Sequence, residues 1–370
     1  MLFFKDLVKK ISVSPDKKTK QKEYLQKGSL PIVDQGQELV GGYTDDMSME
    51  VKCNLPVIVF GDHTRAVKYI DFPFGAGADG IKVLQPKEGV FPKYLYYATQ
   101  YLVLRLEDRG YARHFQYIEK KEIDVPGYEE QQHIVSRIEE LFSQLDSGVE
   151  TLKKTKEQLA VYRQAVLKEA FSSCVERVSV ESVCQHVTDG DHMPPPKTKQ
   201  GIPFIMISNI DNHVIDWSNT AFVGDEYYNT IDTKRRPSKG DVLYTVTGSY
   251  GIPVLIDFEK RFCFQRHIAL LRPKNCINQK FLYYAMQEPA VYAQATKGAT
   301  GTAQKTVGLA VLRKIQIPFC DDIDIQTEIV NDIEARLSLC DSIEKTVDTA
   351  LQQAEAMRQS ILKKAFEGGL

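Results

Sequence analysis

Between residues 130 and 171, apolar side chains return every seven positions, at Ile138, Leu145, Leu152, Leu159 and Val166. The same spacing recurs at Ile333, Cys340, Val347, Ala354 and Ile361. A seven-residue apolar repeat sustained in this way keeps one seam of a helix facing a partner helix, which is the pattern of a coiled coil. A weaker stripe runs beside each seam, at Ile134, Leu141 and Tyr162, then at Ile329, Ile343, Ala350 and Met357. Residues 130–171 and 325–366 align without a gap at an offset of 195, with Gln131/Gln326, Ile138/Ile333, Glu139/Glu334, Asp146/Asp341, Arg163/Arg358 and Phe171/Phe366 among the identities. At 1.5 Å of rise per residue, each stretch predicts a rod of roughly 63 Å. The larger leucines of the first copy are expected to face the smaller Cys340, Val347 and Ala354 of the second.

The segments before the two rods follow one plan. Leu55-Pro-Val-Ile-Val-Phe60 reads as a buried strand closed by Gly61-Asp62, with further strands at Val67-Lys-Tyr-Ile70 and Ile81-Lys-Val-Leu84 and a helix over 91–106. At an offset of 187, Ile81-Lys-Val-Leu-Gln-Pro86 matches Ile268-Ala-Leu-Leu-Arg-Pro273, and Leu95-Tyr-Tyr-Ala-Thr-Gln100 matches Leu282-Tyr-Tyr-Ala-Met-Gln287. Val242-Leu-Tyr-Thr-Val246 is placed opposite the strand ending at Gly61. The difference between the two offsets predicts an insertion in the second copy, with Lys297-Gly-Ala-Thr-Gly-Thr302 as part of it. The chain therefore divides into a globular segment at 1–127, a helix at 128–172, a second globular segment at 173–320 and a second helix at 321–370. Asp321, Asp322 and Asp324 suit the positive N-terminal end of that second helix, and Gly368-Gly369 stops it.

Composition changes this picture little. The chain has 370 residues, 43% of them hydrophobic and 26% charged, with a mean hydropathy of −0.30. These values predict several domains and no membrane span. Residues 1–10 lack the apolar core of a signal peptide, so a cytoplasmic protein is expected. Seven scattered cysteines, none spaced C-x-x-C, argue against a disulfide framework or a zinc site.

Charge is more informative by segment. The net charge is −2, but residues 129–171 carry eight acids and six bases, and residues 321–367 eleven acids and five bases. The rods thus hold −8 and the globular remainder +6.

Several patterns suggest chemistry and fail on context. Gly75-Ala-Gly77-Ala-Asp-Gly80 fits a dinucleotide-binding fingerprint, but a strand follows where a helix is needed, so it reads as a turn. Cys184, His186, Asp189, Asp191 and His192 crowd together on what reads as an irregular loop before Pro194-Pro-Pro196, without a second ligand pair. Asp108 with Glu119-Lys-Lys121 matches a nuclease pattern in letters only. No phosphate loop is present, and no activated nucleophile is suggested. The chain reads as a non-enzyme with no cofactor and no metal of its own.

Binding remains. Candidate contacts in the first half are Lys17, Lys18, Lys20, His63, Thr64, Arg65, Lys68, Arg113 and His114, the last two within a basic-aromatic loop that begins at Arg109. Those in the second half are Asp191, His192, Lys197, Lys199, Ser208, Asn209, Ser249, Tyr250, Arg266, His267, Thr300, Thr302 and Lys305. Such side chains on loops reach base edges, while lysines hold phosphates.

The order globular–helix–globular–helix resembles the specificity subunit of type I restriction–modification systems. Pro56-Val-Ile-Val-Phe-Gly-Asp-His-Thr-Arg65 and Gly77-Ala-Asp-Gly80 look like a target-recognition domain of that family. So do Asp189-Gly-Asp-His192, Gln265-Arg-His267 and Gly301-Thr-Ala-Gln304 in the second half, and Glu130-Gln-Gln-His-Ile-Val135 is similar to the start of its helical spacer. The resemblance implies an α+β fold of two duplicated α/β recognition domains, each followed by a long helix, the helices pairing as an antiparallel coiled coil. It implies double-stranded DNA as partner, read at two half-sites a fixed distance apart. Two methyltransferase subunits and restriction (translocase) subunits would carry the methyl donor and ATP. A rod of roughly 63 Å spans at most about 18 base pairs. The other reading the residues leave open is a coiled-coil scaffold whose globular domains bind proteins.

Overall fold

The computed structural model describes residues 1–77, 80–107, 110 and 112–369. Asp79 of the glycine-rich motif, Asp108 of the nuclease-like pattern and Arg109 of the basic-aromatic loop lie outside the described residues. The chain forms two compact units: Met1–Lys153 with Asp348–Leu370, and Lys154–Val347. This partition divides each rod between the units, whereas the sequence reading set the rods apart as segments of their own.

In the first unit, an antiparallel sheet runs in the order Val8–Ile11, Ile81–Pro86, Val57–Gly61, Val67–Ile70. Val57–Gly61 is buried along its whole length, which is why it reads as an unbroken apolar run. Helix Pro92–Leu104 starts on the proline and buries Tyr94, Leu95, Ala98 and Leu102. A second sheet joins Lys18–Thr19, Gly75–Gly77, Leu30–Val33 and Gly42–Thr44. Gly75–Gly77 is thus a buried strand and not the expected turn. A Cβ on Gly75 would collide with the Ile32 side chain, and one on Gly77 with that of Asp34, so the glycines make room for the neighbouring strand's side chains.

The second unit repeats the plan. Cys184–Asp189, Ile268–Pro273, Val242–Thr245 and Pro253–Leu255 form one sheet, and Lys197–Thr198, Ala221–Val223, Ile202–Ile205 and Cys263–Phe264 another. Two expectations are corrected. Cys184–Asp189 is a ladder-bonded strand rather than an irregular loop, which begins only at Gly190. The strand match also slips by three residues: Ile58 pairs with Leu84 and Val242 with Leu271, so Ile58 corresponds to Val242 at an offset of 184. Outer strands close each unit, Leu2–Phe3 on Glu122–Ile123 and Glu176–Ser179 on Gln316–Phe319.

The rods are helices Tyr128–Ala170 and Ile323–Phe366. Ile138, Leu159, Val166, Ile333, Cys340, Val347 and Ala354 are buried, and Leu145, Leu152 and Ile361 are half-buried. The seven-residue seam is therefore real. The second stripe is not where expected: Tyr162, Ile343 and Met357 are 47%, 38% and 52% exposed. Its place is taken one residue later by Val135, Phe142 and Val330, all buried. A coiled coil averages 3.5 residues per turn by alternating steps of three and four, and Val135, Ile138, Phe142, Leu145 satisfies that alternation.

The pairing is antiparallel within each unit. In the first, Val135, Ile138 and Phe142 share a core with Leu362 and Ala365, while Arg358 pairs with Asp146 and lies 4.3 Å from the Phe142 ring centre. In the second, Leu167 and Phe171 share a core with Val330 and Ile333. There Arg163 meets Asp341 at 2.6 Å and Glu344 at 3.0 Å.

Each helix is fastened to its domain by a buried glutamine. Gln131 accepts from the Phe91 N–H at 2.8 Å and donates to the Gly89 and Pro126 carbonyls at 3.0 and 2.9 Å. Gln326 accepts from Asn278 N–H at 2.7 Å and donates to the Cys276 and Cys320 carbonyls at 3.1 and 2.6 Å. The duplicated pairs Lys93–Glu139 (2.6 Å) and Lys280–Glu334 (2.7 Å) lie about two turns further on. No described helix is long and apolar enough to cross a membrane.

Candidate nucleic-acid interface

In the second unit the central strand ends at a polar cleft, and the first unit has a polar cleft beside His114, whose N–H donates to the Asp62 carbonyl just past its central strand. In the second unit one wall is a hairpin: Thr300 and Thr306 exchange backbone hydrogen bonds of 2.9 and 2.7 Å around Gly301, whose φ of +104° suits glycine. Gly248 N–H donates to the Lys305 carbonyl at 3.0 Å, and Thr306 Oγ1 donates to Thr247 Oγ1 at 3.2 Å, so the hairpin is clipped to the strand end. The opposite wall is the turn 264–267. Its neighbour Gly190 is pressed so close that a Cβ would strike the Phe264 carbonyl. Between them lies a cleft of about 390 Å³ lined by Asp189, His192, Thr247, Arg266, His267 and Gln304, among others. Asp189 is shared by His192 Nε2 at 2.8 Å and Arg235 Nη2 at 3.1 Å, so the acid is already engaged.

The structure brings His192, Arg266 and His267 together here, beside the exposed Thr300, Thr302 and Lys305 of the hairpin. Lys197, Lys199, Ser208 and Ser249 are exposed but do not line the cleft. Three expected contacts are corrected. Asn209 is 3% exposed and caps its own turn, accepting from Met206 N–H at 3.0 Å and donating to the Asn219 carbonyl at 3.3 Å. Asp191 accepts from the Tyr227 hydroxyl at 2.6 Å, and its carbonyl takes the Arg266 N–H at 3.0 Å, so it holds the turn. Tyr250 stacks on Tyr292 with ring centres 5.7 Å apart and donates to Thr296. Arg235, Thr247 and Gln304 were not among the expected contacts. Only Gln304 carried a signal, as the end of Gly301-Thr-Ala-Gln304.

In the first unit the strand delivers His63, Thr64 and Arg65 to a tight turn in which Arg65 has φ +62°. Thr64 Oγ1 donates to the Gln35 carbonyl, and His63 Nδ1 faces the Ala112 carbonyl at 3.2 Å. Lys68 and His114 are corrected as surface contacts, being 4% and 1% exposed. Lys68 Nζ donates to the Asp34 carbonyl at 2.8 Å and lies 3.5 Å from its carboxylate, and burial pushes its pKa down. The first-unit cleft, about 300 Å³, is lined by Arg105, Glu107, His114, Tyr117, Lys120 and Lys121. Its lysines were missed because the segment reads as a nuclease pattern. In fact Glu119 is tied to Lys10 at 2.6 Å. Arg113 and Lys20 are exposed, while Lys17 and Lys18 are half-buried. Among the described residues no group of three or more His, Cys, Asp or Glu could hold a metal ion.

Comparison with known proteins fits this layout. The family model described as type I restriction modification DNA specificity domain matches twice, over residues 3–160 and 176–353. The chain is 25% identical over 280 residues to the type I restriction enzyme EcoBI specificity subunit of Escherichia coli, covering 67% of this chain and 58% of that protein. It is 25% identical over 277 residues to the EcoKI specificity subunit of Escherichia coli strain K12, covering 67% and 57%. It thus spans somewhat under three fifths of the length of these curated relatives. Among solved structures, a chain from a study of complex assembly and conformational transition of the type I R-M system superposes with a TM-score of 0.73 at 16% identity, covering 100% of this chain and 97% of the other. The HsdS subunit from Thermoanaerobacter tengcongensis does so with a TM-score of 0.53 at 16% identity, covering 100% and 96%. With the family model matched over both halves, the chain belongs to the type I restriction modification DNA specificity family.

Proposed function

We propose that this protein is the non-catalytic, sequence-reading subunit of a type I restriction–modification complex, working on DNA in the cytoplasm. Each unit would read one half of a bipartite double-stranded target through its polar cleft. The two half-sites would differ because the frameworks match while the loops do not: a hairpin at 300–306 forms one wall in the second unit, whereas the first unit lines its cleft with Arg105, Glu107, His114, Tyr117, Lys120 and Lys121. That pairing of a repeated scaffold with dissimilar polar clefts is the observation that supports the reading. The long helices would set a fixed spacer and carry two methyltransferase subunits and the restriction subunits, which would bring the methyl donor and ATP.

The test is adenine methylation mapped across the genome of cells holding the matching methyltransferase subunit, with and without this chain. A bipartite motif with a constant gap is expected only when the chain is present. An unchanged methylation map would overturn the proposal and favour a protein-binding scaffold.

A further inference from the structure

All residues of the second unit are described, so the partners of its arginines can be compared one by one. Arg163, Arg177, Arg235, Arg261, Arg272 and Arg336 each face a carboxylate, at 3.1 Å or less. Arg236 and Arg313 donate to backbone carbonyls at 2.7 to 2.9 Å. Arg266 alone has a guanidinium with no partner, and it is exposed in the cleft wall beside His267 and across from Gln304. Its backbone is anything but loose. Arg266 N–H donates to Asp191, Gln265 N–H to Ile205 at 3.0 Å, and Ile268 N–H to Gln265 at 3.1 Å. Gly190 packs against the Phe264 carbonyl closely enough that any side chain there would displace the turn.

Carried on a backbone-anchored turn, a guanidinium with unfilled donors presents a planar fork to whatever enters the cleft. Its neighbours His267, Gln304 and Thr247 are hydrogen-bonding groups rather than further cations. The exposed Lys305 lies on the rim, and Lys197 and Lys199 lie outside the cleft. Cations outside and mixed donors and acceptors inside suit phosphate contacts at the margin and a base edge at the centre. We infer that Arg266 is a specificity-determining residue of the second unit, reading the O6 and N7 acceptors of a guanine in the major groove. The inference rests on the proposed reading of DNA and sharpens it to one base pair of one half-site.

The test is selection of bound duplexes from a randomised pool by the full chain, followed by titration of the selected duplex at several salt concentrations. The wild-type chain should enrich two half-sites. With Arg266→Ala, one G·C position of one half-site should become degenerate while the other half-site stays intact, and the selected duplex should bind roughly 5- to 100-fold more weakly. Arg266→Lys keeps the charge without the fork and should show the same relaxation. Because the side chain has no partner in the fold, thermal unfolding should be unchanged in both variants. The assignment is overturned if Arg266→Ala weakens all duplexes equally, lowers the salt slope by about one and is rescued by lysine, which would mark a phosphate clamp. It is also overturned if neither variant changes the selected sequence. A wild-type chain that enriches no sequence would overturn the reading of DNA itself, and the assignment with it.

Discussion

Replacing Gln131 by leucine is expected to destabilise the first unit by about 3 kcal/mol, although the side chains are similar in size. Gln131 is 1% exposed, and its amide satisfies one N–H and two carbonyls of the backbone. Leucine fills the space and removes the partner of all three, at roughly 1–3 kcal/mol for each one that it also shields from water. Some of that is recovered if the 89–91 turn relaxes, which places the expectation near the lower end. Gln326→Leu should cost the second unit a similar amount, since the same three-bond pattern is repeated there. Gln131→Glu keeps an acceptor for Phe91 N–H but points a carboxylate oxygen at two carbonyls, so it should not rescue. Hydrogen exchange resolved by unit, with urea unfolding, would measure both. A loss under 1 kcal/mol for Gln131→Leu would mean that the glutamine merely fills space.

Asp241→Ala should be more damaging, at about 3–5 kcal/mol in the second unit. Asp241 is buried and forms a two-pronged pair with Arg272, at 2.9 and 2.7 Å, while also accepting from Ser238 N–H at 2.8 Å. Removing one member of such a pair leaves a largely desolvated charge without its partner. Arg272 keeps its bond to the Arg236 carbonyl, but that dipole does not neutralise it. Replacing both residues by apolar ones of similar volume should recover most of the loss. The protected amides of Val242–Thr245 and Ile268–Pro273 are the ones to follow. A double variant as unstable as Asp241→Ala alone would show that shape, and not charge, holds the site.

Much of the fold could be read from the chain because it is written twice. The seam from Ile138 to Val166 and its copy needed only spacing. The companion line was misread because Ile134 and Val135 are both apolar, as are Leu141 and Phe142, and letters cannot choose between adjacent apolar positions. A three–four step rule chooses Val135 and Phe142. Lys68 is expected as a contact, yet it shares the inner face of its strand with Ile70, a period of two that places it inside. His114, Asp191 and Asn209 are a different case. Their roles depend on Asp62, Tyr227 and Asn219, brought near by folding, and no local pattern encodes that. The same holds for Arg266, whose distinction lies in what every other arginine of its unit is bound to.

The division of the helices between units has a consequence for synthesis. The core of the first unit contains Leu362 and Ala365, and Phe366 stacks on Tyr101 with ring centres 5.2 Å apart. A ribosome makes residues 348–370 only after all of the second unit, residues 154–347. The domain translated first therefore waits, incomplete, for the segment translated more than 190 residues later. Its exposed helix 128–153 is, for that interval, an unpaired apolar surface, and a chaperone or an early-binding partner has its opportunity there. A frameshift or nonsense change near residue 350 would thus unmake the beginning of the protein rather than its end.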